Sequence, residues 1–128
     1  MKKLTYFDMG CYPVYVGFSQ CPKAFAREMK RLSVTAQVPF VNKGASATTH
    51  FFHNEGGELT CLICLPVNDR SAAAQAAIVA HEATHCVQEI WSHIGENEPG
   101  AEAEAYLVQF ITQRSLEAMA EWAEADKS

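Results

Sequence analysis

Apolar and polar positions divide the chain into a strand-rich first half and a helix-rich second half. Residues 12–18, Tyr-Pro-Val-Tyr-Val-Gly-Phe, are β-branched and aromatic and read as a strand. Pro22 then opens a short helix over 22–32, because Phe25, Met29 and Leu32 recur at helical spacing and proline suits a first turn. Residues 33–47 carry Pro39 and Gly44 among polar positions and are expected to be mostly loop. Residues 48–53 alternate weakly, Asn54-Glu55-Gly56-Gly57 is a turn signal, and 59–67 are strongly apolar; together they predict a β-hairpin.

The second half changes period. From Ser71 to about Ile94 the chain is alanine-rich and free of Gly and Pro, and Gly95 marks the end of a long helix. Pro99 opens a second long helix running to about Ala125, with Leu107, Phe110, Ile111, Leu116 and Met119 as its apolar stripe. No repeat or linker interrupts this order, so residues 1–128 are expected to form a single domain. The fold class is α+β, a small antiparallel-rich sheet packed on two long C-terminal helices.

Composition narrows what such a domain does. With 128 residues, 48% of them apolar and 20% charged, the chain can bury a core without metal or disulfides. A metal site here is therefore expected to be catalytic rather than the main support of the fold. The net charge of −5 argues against a nucleic-acid partner, which needs a basic face. Lys23, Arg27, Lys30 and Arg31 are the one basic cluster and read as the solvated face of the short helix. The five cysteines are odd in number, the basic start has no apolar stretch behind it, and no segment reaches membrane-spanning length. These features predict a cytoplasmic protein with reduced thiols and no membrane partner.

The strongest chemical signal is His81-Glu82-Ala83-Thr84-His85, in the middle of the first long helix. Residues four apart stand one turn above each other, so His81 and His85 can reach one tetrahedral zinc ion. Glu82 is turned by about 100° from His81, where it flanks the metal and can take a proton from a zinc-bound water. With five His and twelve Glu in the chain, chance places this pattern in roughly one such sequence in a hundred. The alternative reading is a solvated histidine pair on an exposed helix face.

Catalytic zinc usually takes a third protein ligand. Candidates after His85 are Glu89, His93, Glu96, Glu98, Glu102 and Glu104. Glu102 shares a face with Ala105, Tyr106 and Gln109, and Glu104 one with Leu107, Val108 and Ile111, so periodicity alone does not choose between them. A strict antiparallel helix pair would place Glu102 near residues 91–93, so reaching His85 requires that the first helix end or bend early or that the second cross it steeply.

Residues 78–111 resemble the active-site core of gluzincin-type zinc peptidases, in which H-E-x-x-H is followed by a second helix that supplies a glutamate ligand. One branch uses an E-x-E-A-D pattern, to which Glu102-Ala103-Glu104-Ala105-Tyr106 is similar. The resemblance implies a minimal zincin-like fold and Glu102 as third ligand, while Tyr106 stands where the family has Asp. The chain as a whole, including its Tyr-Pro-Val-Tyr-Val-Gly-Phe segment, also resembles small phage and prophage proteins of this kind. The activity implied by the resemblance is that of a Zn2+-dependent peptidase or peptidase-like hydrolase with Glu82 as general base. Its partner would be a peptide or protein substrate, in a bacterial host cytoplasm if phage-encoded, with strand 59–67 aligning the substrate by β-augmentation. A non-catalytic zinc-binding protein-interaction module of phage origin is the rival reading, and a hydrolase of non-peptide bonds is a second.

Other chemistry-bearing residues read mainly as structure. Cys61 and Cys64 form a lone C-x-x-C on a strand, where residues three apart face opposite sides, so they are expected to be core thiols. Cys86 adjoins His85 but diverges from it on the helix, which favours packing over a Cys–His nucleophile. His50 and His53 should fall on opposite strand faces, both partly exposed. His93 and Tyr106 are candidates to steady an oxyanion.

Overall fold

The computed structural model describes residues 3–126. Its elements run β1 (Leu4–Tyr6), β2 (Val14–Ser19), α1 (Pro22–Arg31), β3 (Thr48–His53), β4 (Leu59–Cys64), α2 (Ala72–Ile94) and α3 (Ala101–Asp126). The strands form one sheet in the order β1-β2-β4-β3. β1 with β2 and β3 with β4 are antiparallel, whereas β2 and β4 pair in parallel from Val14↔Leu59 to Ser19↔Cys64. The α+β class and the two long C-terminal helices agree with the sequence reading. The parallel ladder and the short β1 strand are additions to it.

The sheet is covered on both faces. Val14, Val16 and Phe18 of β2 and Leu59, Cys61 and Ile63 of β4 share a core with Val79, Ala83, Val87 and Ile90 of α2 and Leu107 and Ile111 of α3. Leu62 and Cys64 point the other way and meet Phe25 and Met29 of α1, backed by Phe40 and Val38 from the loop. Every residue of β4 is buried, as a strand with neighbours on both edges and both faces must be. α1 is pinned to β1 by the Tyr6 hydroxyl, which donates to Glu28 while Arg31 pairs with the same carboxylate.

α2 has clear ends. The Ser71 hydroxyl accepts from the Ala74 amide at 3.1 Å, capping the N-terminus. Gly95 takes the left-handed conformation at φ 78°, and Gly95 and Glu96 donate back to Ser92 and Trp91 in a Schellman closure. Among the described residues no helix is long and apolar enough to cross a membrane.

Candidate metal centre

α2 presents its apolar stripe to the sheet and leaves its opposite side to solvent, and the H-E-x-x-H motif straddles that border. Val79, Ala83, Cys86, Val87 and Ile90 fill the buried side. His81 and His85, about 160–200° around the helix from Ala83, project into solvent, and the His81 side chain is 69% exposed. Glu82 falls between the two sides and is only 8% exposed, because it turns toward β3. There its Oε1 accepts from the Thr49 hydroxyl at 2.9 Å. That bond fixes one carboxylate oxygen and leaves Oε2 facing His81 Nε2 at 3.9 Å.

The donor set fits a tetrahedral divalent ion. His81 Nε2 and His85 Nε2 are 3.2 Å apart. A tetrahedron with zinc–nitrogen bonds of 2.0–2.1 Å has edges of about 3.3–3.4 Å. Two bare imidazoles at this separation need complementary tautomers, one nitrogen donating and the other accepting. A shared cation accepts both lone pairs without that condition. Among the described residues, the group of three ligand-type side chains brought together is His81, Glu82 and His85, with donor atoms all within 4.8 Å of one another.

Glu102 and Glu104 do not belong to this group. Both are exposed, in the first turn of α3. α2 continues as helix to Ile94, so an early end of α2 is not what would carry Glu102 toward His85. Tyr106 is 65% exposed and lines a groove between residues 5–12 and α3.

Cys61 and Cys64 face the two separate cores, as their spacing requires, and share no metal geometry. Cys86 stays a thiol: a hydrogen bond with Cys61, then burial and the Glu82 charge, raise its pKa well above the ordinary thiol value. Burial and Glu82 push Cys64 up as well. Neither offers a thiolate nucleophile at neutral pH.

Two expectations are corrected. Strand 59–67 is not available to align a substrate, because β4 is interior; β3 is the edge strand on the α2 side. His50 is not partly exposed: it is buried at 8%, donates from Nε2 to the Phe40 carbonyl at 2.9 Å and packs against Phe25 and Phe52. His53 does emerge on the other face, as alternation demands, and meets Glu89. Thr49 was missed by sequence reasoning. Its signal was the shared parity of Thr49 and His53, which sends both side chains to the same side of β3.

No protein-family model, curated protein or solved structure matches the chain. The functional conclusion therefore rests on the site itself.

Proposed function

We propose that this protein is a zinc-dependent peptidase or peptidase-like hydrolase in which His81 and His85 hold the ion and Glu82 is the general base. The observation that carries the proposal is the pairing of two Nε2 atoms at tetrahedral-edge distance with a buried, Thr49-anchored carboxylate beside them. A zinc ion held there would polarise a carbonyl and acidify a water. Glu82 Oε2, the carboxylate oxygen that Thr49 leaves free, is the group that would accept the proton of an attacking water and return it to the leaving amine. β3, which carries Thr49, is an edge strand of the sheet among the described residues, so an extended peptide would add there as a fifth strand. Glu102 is the third ligand that the sequence resemblance suggests, although it stands outside the group formed by His81, Glu82 and His85. Five free thiols suit a reducing compartment, and the proposal places the protein in the cytoplasm, that of a bacterial host if it is phage-encoded.

The test is metal content by mass spectrometry after Zn2+ is supplied, together with cleavage of a peptide library. Near one zinc lost in His81→Ala, with cleavage abolished and metal kept in Glu82→Gln, supports the assignment. Metal lost in Glu82→Gln makes Glu82 a ligand instead of a base, and metal kept in Glu102→Ala removes Glu102 from the set. The open position of His81 favours one second reading, a non-catalytic zinc-binding module that engages a protein partner. Under that reading Glu82→Gln leaves biological activity intact.

A further inference from the structure

The ligand-bearing stripe of α2 does not stop at His85. His81, His85, Glu89 and His93 recur at four-residue intervals, so each stands one turn beyond the last. The second pair meets a residue from the sheet. His53, the last residue of β3, places Nε2 3.2 Å from Glu89 Oε1. Its ring also faces that of His93, with centroids 5.7 Å apart and planes inclined at 43°.

We propose that His53, Glu89 and His93 form a second divalent-cation site that ties the end of β3 to the last turns of α2. Two imidazoles bound through Nε2 to one tetrahedral zinc have ring centroids about 5.2 Å apart, from zinc–nitrogen bonds of 2.0–2.1 Å. The His53–His93 separation is within about half an ångström of that, and the His53–Glu89 contact already has the length of a tetrahedral edge. Among the described residues only His81, Glu82 and His85 have all three donor atoms within 4.8 Å of one another, so binding at the second set requires His93 to bring a ring nitrogen closer to His53 and Glu89. Two imidazole nitrogens and a carboxylate oxygen suit a borderline ion of the zinc class rather than calcium or magnesium. His93 also stands in the last turn of α2, where the exposed carbonyls of the helix end favour positive charge.

The two sites are distinct. Their midpoints are eight residues apart on one helix, about 12 Å, whereas paired catalytic metals stand about 4 Å apart. The second ion therefore plays no direct part in chemistry at Glu82. Its effect is positional: it clamps β3, whose Thr49 anchors Glu82, along the side of α2.

The experiment supplies Zn2+ alone to the purified full chain, removes the excess and counts zinc per chain by mass spectrometry. Wild type is expected to hold near two ions, His53→Ala/His93→Ala near one, His81→Ala/His85→Ala near one, and the fourfold variant none. Glu89→Gln should weaken the second ion's affinity at least tenfold in a Co2+ absorption titration. All three side chains are at least partly exposed, so the variants are expected to fold. Unchanged zinc in His53→Ala/His93→Ala overturns this inference and leaves the first site standing. A single ion lost only in His53→Ala/His93→Ala upholds it while removing the site at His81 and His85.

Discussion

Removing the Thr49 hydroxyl is the sharpest probe of the candidate site. Thr49→Val keeps the shape of the side chain and deletes one donor, the one that holds Glu82 Oε1 at 2.9 Å. A hydrogen bond to a charged acceptor contributes about 1.5–3 kcal/mol. Valine suits a strand slightly better than threonine, which returns a few tenths of a kcal/mol at most. The net loss is then about 1–2.5 kcal/mol. An unfolding entropy of about 2.1 cal/mol/K per residue over 128 residues is about 0.27 kcal/mol/K, so Tm should fall by about 4–9 °C. The assay is thermal and urea unfolding with a chelator present, repeated in a Glu82→Gln background. There the acceptor is neutral, the bond contributes about 1 kcal/mol, and Thr49→Val should cost correspondingly less. A Tm change below about 2 °C, or an equal change in both backgrounds, would refute the view that the Thr49 hydroxyl anchors the Glu82 carboxyl group.

Three further outcomes are expected. Ile90→Ala and Ile111→Ala, both fully buried in the core between sheet and helices, should each cost about 2–5 kcal/mol in urea unfolding. Gly17→Ala should destabilise by about 1–3 kcal/mol, because its Cβ would come within 3.0 Å of the Thr5 carbonyl and the Tyr6 ring and 3.1 Å of Leu62. The Arg31 hydrogen bond, reinforced by Tyr6, holds the Glu28 carboxyl below its ordinary value. A depressed folded pKa contributes stability above the unfolded value and loses it as pH falls through the folded one. The stability difference between wild type and Glu28→Gln, about 0.2–1 kcal/mol near neutral pH, should accordingly shrink toward zero on acidification below about pH 4.

Much of this was legible locally. The H-E-x-x-H spacing determines that His81 and His85 share a helix face, and a turn signal between two strand-like runs specifies the β3–β4 hairpin. What depended on distant segments was not legible. The burial of His50 comes from Phe25 and Phe40, which lie in α1 and the loop after it. Glu82 is anchored by a threonine 33 positions earlier. β1 is a three-residue strand that exists through its pairing with β2. The interior place of β4 did have a local sign. Its apolar run does not alternate, which marks a strand buried on both faces and argues against an edge role.

That central strand also constrains the order in which the chain can fold. β4 reaches β3 through a five-residue turn, but reaches β2 only after the 39 residues between Ser19 and Leu59 have looped back. The longer closure costs about 2 kcal/mol more in chain entropy, so the hairpin should assemble first and dock onto β2 afterwards. Until it docks, Leu59-Thr-Cys-Leu-Ile-Cys-Leu65 presents an uncharged strand with an open edge to any similar chain nearby. During synthesis α2 and α3, which cover one face of this segment, emerge after it, and the interval before they arrive is when the protein is most exposed to self-association.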